Sequence, residues 1–96
     1  MASIDIKRNH SLGKDTAKEK AEELAKDMQS KLGIDWRWDG DTIRFKADSG
    51  TAKGVTGTVS VTDSDVSVAI DLPFLLKAMK GTISSRVEDK LGQLVG

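Results

Sequence analysis

The sequence of 96 residues contains no cysteine, which excludes disulfides, thiolate metal ligands and cysteine nucleophiles. Small secreted domains often depend on disulfides, so this absence favours a cytoplasmic protein. Long hydrophobic runs are also missing, because no apolar stretch approaches the ~20 residues that a membrane-spanning helix needs. The N-terminal segment has no basic region followed by an apolar run, which argues against a signal peptide. We therefore expect one cytoplasmic domain over residues 1–96.

Net charge is missing as well, because 15 basic and 15 acidic residues cancel. Nonspecific binding of nucleic acid depends on neutralising phosphates, so we expect no nucleic-acid partner. The single histidine, His10, has no second histidine or cysteine with which to form a typical zinc site. No nucleophile-elbow or triad motif accompanies it. We therefore predict no catalytic residue, no metal and no cofactor, and we interpret His10 as a structural residue at a strand-to-helix junction.

Five segments alternate apolar and polar residues, which is the period of a half-buried β-strand. The side chains expected on the buried face are Ile4, Ile6, Trp36, Ile43, Phe45, Val59, Val61, Val68 and Ile70. Asp39-Gly40 between two alternating runs is typical of a hairpin. A two-residue turn there would place Trp36 opposite Ile43 and Ile34 opposite Phe45. The polar face would then pair Asp35 with Arg44, which carry opposite charges.

The later strands follow the same arithmetic. A turn at Asp63-Ser64 would place Val61 opposite Val66 and Val59 opposite Val68. Pairing of the middle strands would bring Phe45 opposite Gly57, where an aromatic ring can cover the missing side chain. We interpret Gly57 as providing room for packing.

Three other features suggest ligand sites but are interpreted as structural. Gly40 with its flanking aspartates fits a turn, since the ligand spacing of an EF-hand is absent. The loop at residues 50–54 lacks the spacing of a phosphate-binding loop and joins two strands. Trp36 and Trp38 share the apolar face with no interleaved basic residue, so we interpret them as core aromatics rather than a base-stacking platform.

A first helix is expected between the first two strands. Thr16 followed by Glu19 fits a capping box, although Asp15 or Ser11 could cap the helix instead. Gly33 stands where a C-cap belongs. The apolar side chains of this helix fall within a stripe of ~100°, as expected for a helix that lies on a sheet.

A closing helix is expected from Pro73 to about Leu94, since proline suits the first helical turn. The element order is then β-α-β-β-β-β-α. One face of the sheet is apolar and the other polar, so both helices should cover the same face. We therefore predict an α+β two-layer sandwich with a mainly antiparallel five-stranded sheet and the first strand at an edge.

The apolar residues of the closing helix spread over ~200° of its circumference, about twice what packing on a sheet requires. In one interpretation the surplus packs on the first helix while Phe74 folds over a sheet edge. In the other, Phe74 with Leu75, or Leu91 with Val95, stays exposed as a contact patch.

Several motifs also occur together in a fixed order. They are Arg8-x-His10-x-Leu12-Gly13, Trp38-x-Gly40-Asp41-x-Ile43-x-Phe45, Gly54-Val55-x-Gly57-x-Val59-x-Val61 and Leu72-x-Phe74-Leu75-Leu76, followed by an amphipathic C-terminal helix. With this set the chain resembles the polyhydroxyalkanoic acid system protein family, small bacterial proteins encoded near polyester-granule genes. The resemblance covers nearly the whole chain. The family has no agreed catalytic residues, so the resemblance implies granule metabolism as a context rather than a mechanism.

Within that context the first hypothesis is a non-enzymatic binding or accessory protein in the cytoplasm, associated with granules. Its partner would be the granule surface or a granule-associated protein. A carrier of a small apolar ligand, bound between the sheet and the C-terminal helix, is the alternative. An enzyme that uses His10 is a third hypothesis, and a homodimer through the C-terminal helix is compatible with the first.

Overall fold

The computed structural model describes residues 3–50 and 52–95. The elements follow the expected order. They are β1 (Ile4–Asn9), α1 (Lys14–Leu32), β2 (Asp35–Asp39), β3 (Thr42–Lys46), β4 (Thr56–Val61), β5 (Asp65–Asp71), a 3₁₀ helix (Phe74–Met79) and α2 (Lys80–Val95).

The five strands form one antiparallel sheet in the order β1-β5-β4-β3-β2. Consecutive hairpins explain the order from β2 to β5. Helix α1 separates β1 from β2, and β1 pairs with the last strand instead, which confirms its edge position and identifies the edge. Helix α1 packs on β2, β3 and β4, while α2 packs on α1 and β1. The α+β fold with both helices on one face is therefore confirmed.

The core lies between the helices and one face of the sheet, as the alternation predicts. All side chains expected on that face are buried except Trp36, which is half-buried. Helix α1 contributes a stripe of small and large apolar residues, namely Ala17, Ala21, Leu24, Ala25 and Met28. On the opposite face Thr58, Ser60 and Ser67 are half-buried, although the alternation places them on the polar side.

The expected register of the β2–β3 hairpin is wrong by two residues. Trp36 lies opposite Phe45, and Trp38 lies opposite Ile43. The turn residues are Gly40 and Asp41, and Gly40 has the positive φ of 63° that the first position of a primed turn requires. A shift of two preserves parity, so the assignment of faces survives although the pairs change.

The other two hairpin registers are confirmed. Phe45 lies opposite Gly57. In the β4–β5 hairpin Val61 lies opposite Val66, and Val59 lies opposite Val68.

The expected N-terminus of α1 is also wrong. The helix begins at Lys14, and its N-cap is Gly13 with φ of 80° and no side-chain cap, so neither the capping box nor the other candidate caps are used. The first turn is instead closed by the Ala17 N–H, which donates to the Gly13 carbonyl at 3.0 Å. At the other end Gly33 is confirmed as a left-handed C-cap whose N–H donates to the carbonyl of Gln29.

The closing segment is two helices rather than one. Pro73 precedes the 3₁₀ helix, and α2 begins only at Lys80. The buried residues of α2 follow a simple i, i+4 stripe: Ile83, Val87, Leu91 and Val95. A 3₁₀ helix turns about 120° per residue, so a wheel drawn at the α-helical ~100° does not apply to residues 74–79. The wide apolar sector results from treating both helices as one.

Candidate functional site

The most exposed apolar residues of the structure lie on the 3₁₀ helix. The exposed fraction is 84 % for Phe74, 87 % for Leu75 and 48 % for Met79. No residue of this helix is fully buried, and only Leu76 turns back to pack against the core. We call Phe74, Leu75 and Met79 the apolar patch.

The position of the patch is fixed by the way the chain leaves the sheet. Strand β5 ends at Asp71, and Leu72 is buried directly after it. Pro73 is extended, with φ of −64° and ψ of 159°, and its ring packs on Gly54. A Cβ on Gly54 would lie 3.1 Å from this ring, so only glycine leaves comfortable room for the contact. The anchored proline then directs the first 3₁₀ turn away from the core.

Two of the four predicted patch residues do not belong to the patch. Leu91 is fully buried, and Val95 is only 9 % exposed. Both lie on the stripe of α2 that faces the core, so the hypothesis that this pair forms an exposed patch is wrong. Met79, which is 48 % exposed, belongs to the patch instead. The sequence signal that could have indicated an exposed patch here is Pro73 followed directly by the bulky residues Phe74 and Leu75.

The charged residues within and just after the apolar patch in the chain are basic, although Met79 also lines a groove with Asp27 and Asp89. Lys77 and Lys80 are exposed beside it. Between residues 72 and 87 the chain contains three basic residues, these two lysines and Arg86, and no acidic residue. The two lysines next to Phe74 and Leu75 therefore suit a surface that is apolar with some negative charge.

His10 lies at the end of β1 and bonds through both ring nitrogens. Its Nδ1 accepts the N–H of Leu12 at 3.2 Å, so the proton lies on Nε2, which donates to the carbonyl of Thr62 at 3.0 Å. Its backbone N–H donates to the Ser64 carbonyl at 2.9 Å. The ring is 9 % exposed. These bonds tie the β1–α1 connection to the β4–β5 turn, which supports a structural role and leaves neither nitrogen for a substrate.

Both tryptophans lie under α1 and bond to it. Trp38 Nε1 donates to Glu22 Oε1 at 2.9 Å, and this bond is the main reason that the pKa of Glu22 is lowered. Lys18 Nζ lies 4.8 Å from the centre of the Trp38 ring. Trp36 Nε1 donates to Gln29 Oε1 at 3.1 Å. The rings connect the hairpin to the helix, but both are half-buried on the edge strand β2 rather than enclosed in the core.

The β2–β3 turn is held on the same helix by charge. The carboxylate of Asp41 accepts hydrogen bonds from Lys14 and from Lys18, the latter at 3.3 Å. These bonds, with Lys14 contributing most, lower the pKa of Asp41, and the Asp41 carboxylate in turn raises the pKa of Lys14. Gly40 allows this turn, because its backbone adopts the positive φ.

Two spaces of different size lie on the helix side of the sheet. A cavity of about 70 Å³ lies between the sheet, the 3₁₀ helix and α2, lined by residues such as Phe45, Leu76 and Ile83. A larger groove of about 370 Å³ runs between α1 and α2, with Met28 and Val87 among its apolar residues and several charged residues at its rim. Over residues 3–50 and 52–95, no three histidine, aspartate or glutamate side chains come together as a metal site would require. Neither helix of the described chain is long and apolar enough to cross a membrane.

A family model described as "Putative polyhydroxyalkanoic acid system protein" matches residues 4–95. The chain belongs to this family. The match confirms the resemblance based on the motifs and spans β1 to α2, including the apolar patch. No curated protein and no solved structure is significantly similar to the chain.

Proposed function

We propose that this member of the polyhydroxyalkanoic acid system family is a non-enzymatic docking protein that attaches to the granule surface through the apolar patch. The observation that carries the proposal is the almost complete exposure of two adjacent bulky side chains, Phe74 and Leu75. Full burial of such a side chain contributes about 1.5–3 kcal/mol, so covering both would contribute ~3–6 kcal/mol before the cost of association.

The chemistry of the granule matches this surface. A polyhydroxyalkanoate is an aliphatic polyester, so its surface is largely apolar and its chain ends carry carboxylates. The apolar patch suits the polymer, and the lysines at 77 and 80 suit the carboxylates. An apolar surface with a basic border thus fits the granule surface better than a purely apolar partner.

The alternative functions find less support. A drug-sized ligand usually occupies roughly 300–1,000 Å³, whereas the space between the sheet and the C-terminal helices is about 70 Å³. An enzyme acting through His10 would need a free ring nitrogen, and both are bonded to the backbone. The structure therefore favours docking over carrying a ligand between the sheet and the C-terminal helices or over catalysis by this histidine.

Co-sedimentation with protein-stripped polyhydroxyalkanoate granules tests the proposal. We expect Phe74→Ser and Leu75→Ser to lower the bound fraction by at least tenfold at unchanged melting temperature, because both side chains are exposed. Leu12→Ser is the matched control, since Leu12 is 39 % exposed but lies beside the β4–β5 turn, at the opposite end of β5 from Phe74. That seven-residue strand separates the two sites by ~20 Å.

Three results would contradict docking on the polymer surface. Equal loss of binding in the Leu12→Ser control would mean that the interaction is not local. Binding that requires the granule proteins, and is lost when they are removed, would identify a protein partner instead. A dimer in sedimentation velocity that Phe74→Ser dissolves would show that the patch holds a second copy of the chain.

A further inference from the structure

The face of the sheet away from the helices is polar, and no element of the described chain covers it. Three rows of side chains cross it from β2 to β5. The central row is Arg37, Arg44, Thr58 and Ala69. One neighbouring row contains Asp35 and Asp71, and the other contains Asp39. Within β2 to β5, the central row is therefore the one row without an acidic residue.

Arg37 lies directly opposite Arg44, and like charges in this position destabilise a hairpin. The pair is only partly compensated. Arg44 Nε donates to Asp39 Oδ2 at 2.8 Å, which lowers the pKa of Asp39 and leaves the two terminal nitrogens of Arg44 available. No carboxylate within residues 3–50 and 52–95 forms an ion pair with Arg37.

The arginine pair borders an open trough of about 740 Å³, which Trp36, Phe45 and Gly57 also line. Thr58, Thr56 and Lys46 also line it, and Asp35 and Asp71 stand at its acidic border. Lys46 Nζ forms an ion pair with Asp48 Oδ2 at 3.3 Å, and Lys46 lies opposite Asp35 in the hairpin. The cationic donors that remain uncommitted are thus those of the two arginines, next to the hydroxyl of Thr58.

We propose that the arginine pair, together with Thr58, binds a small carboxylate. A guanidinium presents two parallel N–H groups that match the two oxygens of a carboxylate. An anion between Arg37 and Arg44 would relieve their mutual repulsion, and Thr58 would donate to or accept from a neighbouring polar group of the ligand. The aspartates at the border make the site suited to a single negative charge. This inference is independent of granule docking, because it concerns the other face of the sheet.

The experiment is a titration of the native chain with 3-hydroxybutyrate at constant ionic strength, followed by ¹H–¹⁵N NMR. Backbone and arginine Nε–H signals are both recorded. We expect saturable shifts confined to residues around positions 37, 44 and 58. Methyl 3-hydroxybutyrate, which lacks the charge, should cause none, and inorganic phosphate and sulfate serve as competing anions. An oligomer of 3-hydroxybutyrate with a free carboxylate end distinguishes polymer ends from the free acid.

Arg37→Gln should weaken binding at least tenfold. Lys7→Gln is the matched control, because Lys7 is a cation on the same face but in β1, paired with Asp65 at 3.5 Å. Phe74→Ser should bind as the native chain does, even if it no longer sediments with granules. The proposal is overturned if the shifts do not saturate, or if they occur equally at all basic residues. It is also overturned if the methyl ester causes the same shifts, or if Lys7→Gln loses as much affinity as Arg37→Gln.

Discussion

Gly57 is the position where the smallest possible change should have a large effect. A methyl group added there would lie within 3.0 Å of the Phe45 ring and of the Ala69 carbonyl. The carbonyl belongs to β5 and cannot shift without disturbing the β4–β5 pairing, while the ring is buried and 5 % exposed. Overpacking of this kind costs up to about 3 kcal/mol, and alanine regains ~0.5–1 kcal/mol over glycine through backbone entropy.

The net expectation for Gly57→Ala is a loss of ~2 kcal/mol in the free energy of unfolding, or ~8–16 °C in melting temperature for a domain of this size. Differential scanning calorimetry measures it. Gly81→Ala is the control, because Gly81 lies in α2 with nothing within 4 Å of the added methyl group, so the same change should raise stability by ~0.5–1 kcal/mol. A fall of less than about 4 °C in Gly57→Ala would refute the close packing, as would the absence of any recovery when Phe45→Leu is added.

Two further changes test the contacts around the site. His10→Ala removes the bonds to Leu12 and Thr62, so the free energy of unfolding should fall by ~1–2 kcal/mol while granule binding stays unchanged. Urea denaturation measures the stability, and co-sedimentation measures the binding. Lost binding at unchanged stability would contradict the structural role. Asp41 has a folded pKa below its ordinary value of 3.8, so its contribution to stability is present above that pH and is lost as the pH falls through the lower folded pKa. When the urea concentration at the unfolding midpoint is plotted against pH, Asp41→Asn should therefore reduce the fall at acidic pH. An unchanged fall would show that the bonds to Lys14 and Lys18 contribute nothing to stability.

The strands and their faces could be predicted because a period of two is a local signal. The register of β2–β3 could not, because Asp39-Gly40 and Gly40-Asp41 are both acceptable two-residue turns. The choice depends on tertiary contacts: in the observed turn Asp41 reaches Lys14 and Lys18, and its carbonyl accepts the Val61 N–H. The alternation of apolar and polar residues gives no information about these contacts.

The sequence predicts that some apolar residues of the closing segment are exposed, but not which ones. The sequence indicated that the closing segment has more apolar residues than its packing needs, and Phe74 and Leu75 were among the candidates. Deciding between them and Leu91 required the boundary between the 3₁₀ helix and α2 at Lys80, since the angle per residue changes there. The contact of Pro73 with Gly54, at the start of the 3₁₀ helix, is likewise a long-range contact that the sequence pattern does not show. The alternation places Arg37 and Arg44 on one polar face, but their position directly opposite each other appears only in the observed register.

The trough that contains the arginine pair comes closest to the apolar patch at Asp71. Asp71 borders the trough, and Phe74 follows three residues later, at most ~11 Å away. A polymer surface in contact with Phe74 therefore lies near the Asp71 border of the trough, while Arg44 and Arg37 lie two and three strands further across the sheet. Docking would raise the local concentration of carboxylate chain ends, as for any second contact made within an existing complex. A solvent-exposed arginine pair is expected to bind a lone carboxylate weakly, because water and salt screen it. Millimolar affinity would nevertheless suffice there, since tethering over such a short span supplies effective concentrations in the millimolar range.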